Sequence, residues 1–220
     1  SSMKYVVVLM DGAADTPVPE LGGKTPLEAA NKPHIDALAS HGELGMVTTV
    51  PKNLPPGSDV ANLSVFGYDP QKYYTGRSPL EAVSMGVPLT LTDTTFRANL
   101  VTLSDDARYE DKIMVDYSSD EISTEEAHQL ISALNDALKT EDYEFFGGIS
   151  YRHLMVWHHR ENDFTLTPPH DISDRVIGEY LPKDKTLLGL MKKSYDILKD
   201  HPVNQKRVQK GLHPANSLWI

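Results

Sequence analysis

No cysteine occurs in this chain, which excludes a disulfide framework and thiolate metal sites together. Any metal has to be held by Asp, Glu, His or hydroxyl oxygen, and a cysteine-free chain suits a reducing cytosol. Positive charge is also scarce: 21 Lys and Arg stand against 31 Asp and Glu, a formal net charge of -10. That balance argues against a nucleic-acid or anionic-membrane surface, and it requires any phosphate site to be built from a few converging cations. Long apolar runs are missing too. The first is only about six residues, against the roughly 20 needed to span a bilayer, and it has neither the basic flank nor the cleavage site of a secretory leader. Internal repeats and low-complexity tracts are absent.

What is present is a chain of 220 residues, 40% hydrophobic, enough for one large core or two modest ones. Residues 4–10 form an apolar run ending in Asp11-Gly12. Such a run reads as a buried, parallel strand that delivers Asp11 to the carboxyl edge, where open α/β sheets place their ligands. Asp11 taken alone reads first as part of an Asp-Gly turn closing the strand, ahead of a metal ligand. A second unusual stretch, Pro55-Pro56-Gly57-Ser58-Asp59-Val60-Ala61-Asn62, offers a hydroxyl nucleophile. Ser58 follows a sharp turn and opens a helix whose free N–H groups favour a phosphoryl anion; by position alone it is also an ordinary N-cap. A free serine hydroxyl is a poor nucleophile at neutral pH, and a divalent metal on Oγ is one way to activate it, with Asp11 as the obvious first ligand.

Between these stretches the pattern predicts a helix over residues 33–41 stopped by Gly42, a strand over 43–50, a short helix from Ser58 to Gly67, a polar aromatic loop over 68–77 and a helix over 79–85. The character then changes. Strands are expected at 96–103, 112–117 and 148–158. An amphipathic helix over 123–138 carries Ala127, Leu130, Ile131, Leu134 and Leu138 on one face, with a Ser123/Glu126 capping box, and another long helix covers 185–200. The fold class is therefore α/β, a partial sheet domain carrying an inserted α+β domain. Residues 1–90 plus 205–220 form the first and 91–204 the second, because residues 211–220 read as a strand returning to the first sheet.

Several segments follow one another as in a known family: Met10-Asp11-Gly12, Thr25-Pro26-Leu27-Glu28-Ala29-Ala30, Pro56-Gly57-Ser58-Asp59-Val60-Ala61-Asn62-Leu63, Gly67-Tyr68-Asp69-Pro70 and Gly76-Arg77-Ser78-Pro79-Leu80-Glu81-Ala82. Later stretches agree: Phe96-Arg97-Ala98-Asn99-Leu100-Val101-Thr102, Ser150-Tyr151-Arg152-His153-Leu154, Pro168-Pro169-His170-Asp171-Ile172 and Ala215-Asn216-Ser217-Leu218-Trp219. Over essentially its whole length the chain resembles the archaeal-type cofactor-independent phosphoglycerate mutases of the alkaline-phosphatase superfamily. The resemblance implies a two-metal site of manganese, zinc or magnesium, no bisphosphoglycerate, Asp11 and Ser58 as metal ligands, and Ser58 as the residue that is phosphorylated. The reaction implied is interconversion of 3- and 2-phosphoglycerate in the cytoplasm. Alternatives are a homoserine kinase-like phosphotransferase of the same family and a catalytically inert fragment.

The insert would grip the substrate, a small phosphorylated hydroxy acid. Arg97 and Arg152 lie in strand-like stretches among apolar neighbours, so each should have an anionic partner, either ligand or structural carboxylate. His170 is a turn residue or a phosphate donor, and Arg77 a substrate contact or a brace for the serine turn. His158-His159, His34 and His41 lack metal-site spacing and a carboxylate partner. Residues 105–111 read as an exposed acidic loop, and Trp157 and Trp219 as core. Ser1-Ser2 before Met3 resembles a cloning remnant. The resemblance also implies late Asp and His ligands, and residues 205–220 offer only His213, so the chain is expected to stop inside a domain, with an apolar edge at Leu218, Trp219 and Ile220 that favours self-association.

Overall fold

The computed structural model describes residues 2–73, 81–82, 84–90, 92–160 and 164–220. The chain divides into two compact units, Ser1–Tyr74 and Thr75–Ile220.

The first unit carries short helices: α1 (Pro26–Ala29), α2 (Pro33–His41), α3 (Ser58–Val65) and α4 (Pro70–Tyr73). Thr25 caps α1 by accepting the Glu28 N–H at 3.2 Å, and α2 ends at Gly42 as its sequence predicts. The two expected strands do not form. Residues 4–10 and 43–50 have no strand structure, and Val6 and Met46 are 83% and 101% exposed. An apolar run becomes a strand only when a neighbour takes its backbone hydrogen bonds, and the one β-bridge described in this unit joins Val18 to Lys24 instead. The apolar face expected on α2 is likewise uncovered, with Leu38 75% exposed.

The second unit is a mixed helix and sheet structure, as the fold class requires. Its strands are β1 (Thr94–Leu103), β2 (Met114–Asp116), β3 (Tyr143–Ile149), β4 (Arg152–Trp157) and β5 (Ser217–Trp219), ordered β2-β1-β4-β3 with β5 also on β1, all pairs antiparallel. The helices are α5 (Thr124–Leu138), α6 (Lys185–Leu198) and α7 (Pro202–Gln209). Ser123 caps α5 through the Glu126 N–H, and all five residues of its predicted apolar face are buried. Asp184 caps α6, which buries Leu187, Leu190, Met191 and Leu198. These faces close on Phe96, Ala98, Leu100, Phe145, Met155 and Trp219 in one core. Against the other face of the sheet, Ala82 and Val87 pack with Leu154 and Val156.

Three expectations are corrected here. Residues 217–219 pair with β1, so in the structure this segment belongs to the α+β sheet and not to a sheet built on residues 4–10. Leu218, Trp219 and Ile220 are buried, at most 4% exposed, so they offer no apolar edge. The strand expected over 148–158 is half of a hairpin: Ile149 pairs with Arg152, and Ser150, at a left-handed φ of 54°, turns the chain.

The hairpin depends on one glycine. A Cβ on Gly148 would collide with the Arg152 carbonyl oxygen, a backbone atom that cannot yield without moving β4. Gly148→Ala should therefore cost about 1–3 kcal/mol. Gly189 in α6 faces open space, and Gly189→Ala should instead stabilise by roughly 0.5–1 kcal/mol. Urea unfolding followed by tryptophan fluorescence should show midpoints moving in opposite directions; a neutral Gly148→Ala would contradict the close approach.

Candidate active site

Ser58 is the first residue of α3, and the extended Gly57 is the cap, with no side chain capping the helix. The sequence reading that made Ser58 the N-cap is thus corrected by one position. The shift leaves the hydroxyl uncommitted to the backbone. It donates instead to Asp11 Oδ2 at 2.9 Å, and both residues are exposed. Asp11 is held by the turn its dipeptide predicts: the Ala13 N–H donates to the Met10 carbonyl, and Gly12 takes a φ of 70° that a side chain would resist. Gly57 serves by size, because a Cβ there would meet Asp59 Oδ1 at 2.6 Å. Asp59 uses that oxygen to accept the Val60 N–H. The N-terminus of α3 then favours an anion beside Ser58 Oγ.

These two oxygens also suit a cation. Mn²⁺ and Mg²⁺ prefer hard oxygen donors at about 2.0–2.2 Å, which places neighbouring ligands roughly 3 Å apart. Asp11 Oδ2 and Ser58 Oγ match that spacing and could occupy two corners of such a shell.

The remaining predicted residues belong to the second unit, apart from Arg77, which lies outside the described residues. Arg97 and Arg152 fall on the same face of the sheet, since Arg97 pairs with Leu154 and Asn99 with Arg152 in a two-residue period. Both are exposed, so the expected desolvation cost does not apply to either. Their partners differ. Arg97 clasps Glu81 through Nε, at 3.1 and 3.2 Å from the two oxygens, and through Nη2. Arg152 has no carboxylate partner among the described residues; its Nη2 donates to Tyr151 Oη at 2.8 Å, and its guanidinium lies 4.7 Å from that ring's centroid. His170 Nε2 sits 3.0 Å from Asp171, and its ring is 6.2 Å from Tyr117, which is 6.0 Å from Tyr151. Arg152 and His170 are thereby joined through two tyrosines that no sequence pattern singles out.

A second cluster also escaped the sequence reading. Asp116, Asp120 and His213 bring ligating atoms within 4.8 Å of one another, the one group of three that could hold a metal among the described residues. Asp116 accepts from Ser118 N and Oγ, from Asp120 N and from His213 Nδ1. Burial raises its pKa, yet these four bonds outweigh burial and hold it at about 2. Asp120 in turn accepts the His213 N–H at 2.7 Å. The group clamps a left-handed run, Ser119, Asp120 and Glu121 at φ of 52°, 54° and 50°, which also takes Arg207 on the Ser119 carbonyl. No spacing could have shown it, because His213 lies 97 residues from Asp116.

His158, expected to lack a carboxylate partner, has one: its Nδ1 is 3.0 Å from Asp93 Oδ1. Trp219 is core as expected, with Nε1 donating to the Thr167 carbonyl. No described helix is long and apolar enough to cross a membrane.

A family model described as 2,3-bisphosphoglycerate-independent phosphoglycerate mutase matches residues 39–204. The chain is 51% identical over 221 residues to a Geobacter sulfurreducens protein named "Probable 2,3-bisphosphoglycerate-independent phosphoglycerate mutase", covering 99% of this chain and 55% of that one. It is 49% identical over 225 residues to the Methanosarcina acetivorans protein named 2,3-bisphosphoglycerate-independent phosphoglycerate mutase, covering 99% and 54%. Among solved structures, the cofactor-independent phosphoglycerate mutase from Thermoplasma acidophilum aligns with a TM-score of 0.62 at 29% identity, over 94% of this chain and 55% of that one. The chain spans about half the length of the curated relatives it matches.

Proposed function

The chain belongs to the 2,3-bisphosphoglycerate-independent phosphoglycerate mutase family, and from that premise we propose that it supplies the phosphoryl-carrying serine of a mutase interconverting 3- and 2-phosphoglycerate. The observation that carries this reading is the Ser58–Asp11 hydrogen bond, which puts a hydroxyl and a carboxylate together at the open end of a helix. In the proposed reaction Ser58 Oγ bonds to phosphorus as the bond from phosphorus to the 3-oxygen of glycerate breaks, and the proton that the serine hydroxyl gives up ends on the 3-oxygen. The 2-hydroxyl oxygen then bonds to the same phosphorus as the bond to Oγ breaks, and the proton of the 2-hydroxyl passes to Ser58 Oγ. Asp11 orients the hydroxyl before attack. Divalent cations, when bound, favour the alkoxide and offset charge on the phosphoryl oxygens; Asp11 and Ser58 are the residues described here that would hold one. No bisphosphoglycerate takes part, and the reaction belongs in the cytoplasm.

The first unit, Ser1–Tyr74, is assigned to the catalytic domain and the second, which takes residues 75–90 from the span expected for that domain, to gripping the substrate, with Arg152 and His170 facing its anionic groups and Arg97, already on Glu81, in a supporting place. The test is conversion of 3-phosphoglycerate by the protein at the length of its relatives, with manganese and without bisphosphoglycerate. Turnover abolished by a chelator and restored by manganese is expected. Turnover that requires added bisphosphoglycerate would contradict the proposal. Two ligands make a weak site, since transfer sites normally have three or more from the protein. Titration of manganese into the 220-residue chain should accordingly show weak binding that Asp11→Asn weakens further, and tight stoichiometric binding at these residues would contradict the two-ligand reading.

A further inference from the structure

The arginines of the α+β unit are held in different ways. Arg97 is clasped by Glu81 and Arg207 by Glu126, so the charge of each is offset within the fold. Arg152 instead rests on an aromatic ring, and its contact to Tyr151 Oη is to a neutral acceptor. A guanidinium has five N–H donors in a fixed fork. With one spent on a phenol and the ring beneath it, the fork keeps its charge and has a set direction, the condition for bidentate capture of a carboxylate or phosphate.

Tyr151 is itself fixed. It occupies the β3–β4 hairpin turn, and its carbonyl accepts the Leu100 N–H at 2.9 Å, tying the turn to β1. Tyr117 stands edge-on to it, at 75°, and edge-on to His170, at 69°. Tyr117 follows Asp116 directly, and the four hydrogen bonds that Asp116 accepts set the backbone on which Tyr117 stands.

We propose that Tyr151 and Tyr117 are positioning residues of the substrate grip, Tyr151 aiming the Arg152 fork and Tyr117 linking that pair to the His170 imidazole. This rests on the reading that Arg152 and His170 face the anionic groups of the phosphorylated acid. The substrate chemistry it selects is a small acid with two anionic groups, one for a bidentate fork and one for an imidazole donor.

The test is a titration of the 220-residue chain with 3-phosphoglycerate, followed by the NMR signals of the Arg152 Nε–H and the His170 ring. In the unaltered chain both should shift with one dissociation constant. Tyr151→Phe, which keeps the ring and removes the hydroxyl, should weaken binding about tenfold. The same change made on an Arg152→Lys background should have little further effect, because the fork it aims is gone. Tyr117→Leu should leave the Arg152 shift in place and separate His170 from it. Backbone signals of α5 report whether each variant stays folded. Equal effects of Tyr151→Phe with and without Arg152 would overturn the positioning role while leaving the grip intact. No shift at either residue in the unaltered chain would overturn both the grip and the role built on it.

Discussion

Ser58→Ala should abolish mutase turnover in the protein at the length of its relatives, a fall of roughly 10⁴-fold or more, as for removal of the nucleophile from other group-transfer sites. Stability should hardly change. A serine that caps a helix costs about 0.5–2 kcal/mol to replace with alanine, but here Gly57 is the cap and the Ser58 hydroxyl touches Asp11 instead. The side chain is exposed, so no cavity forms. Urea midpoints within error of each other, alongside lost turnover in a coupled assay, are the expected pair of results. Retained turnover would remove Ser58 from the reaction, and a marked loss of stability would show that its hydroxyl is structural.

The second large effect is on stability against pH. His153 lies on β4, 2% exposed, and burial, helped by the nearby His128, pulls its pKa from the usual 6.5 to about 4. Its Nδ1 accepts the Gly148 N–H at 2.8 Å, a bond that only the neutral ring can accept, and its Nε2 is buried without a partner. Above pH 6.5 the ring is neutral in folded and unfolded chains, and it contributes no slope. Between 6.5 and 4 the unfolded chain takes up a proton that the folded chain refuses, so stability falls as pH drops, by about 3 kcal/mol in all. His201, also lowered by burial, adds to the slope of the unaltered chain. Asp116 enters only lower down, as pH falls below 3.8 toward 2. His153→Asn keeps an oxygen to accept the Gly148 N–H and cannot titrate. Denaturation from pH 7 to 4 should therefore be flatter in that variant, and parallel curves would show that His153 is not the source.

How legible this was depended on whether an element carries its own partners. α5 and α6 were readable to within a residue or two because apolar spacing, with the Ser123 cap at the start of α5, decides a helix from its own sequence. Residues 4–10 misled because their apolar pattern states a strand's preference without supplying the neighbour that a strand requires. The Gly147-Gly148 bulge and the turn at Ser150 were invisible as a hairpin, since the pattern on both sides is strand-like. At the site, Asp11 and Ser58 were legible through their turn chemistry and through family resemblance, and their contact is found in the structure. Tyr117, Tyr151 and the Asp116–His213 clamp were not, because tyrosine and aspartate in strands and turns carry no spacing that marks them. Ring contacts and loop hydrogen bonds between segments distant in sequence bring them together.

The central claim is that Ser58 carries the phosphoryl group between the two hydroxyls of glycerate. It is tested most directly by mixing the manganese-loaded protein at the length of its relatives with 3-phosphoglycerate labelled in its phosphate, quenching in acid within a turnover, and mapping the labelled residue. The account predicts label on Ser58, lost on chase with unlabelled substrate and absent from Ser58→Ala. Label on another residue, or full turnover with no labelled serine at any time, would contradict it.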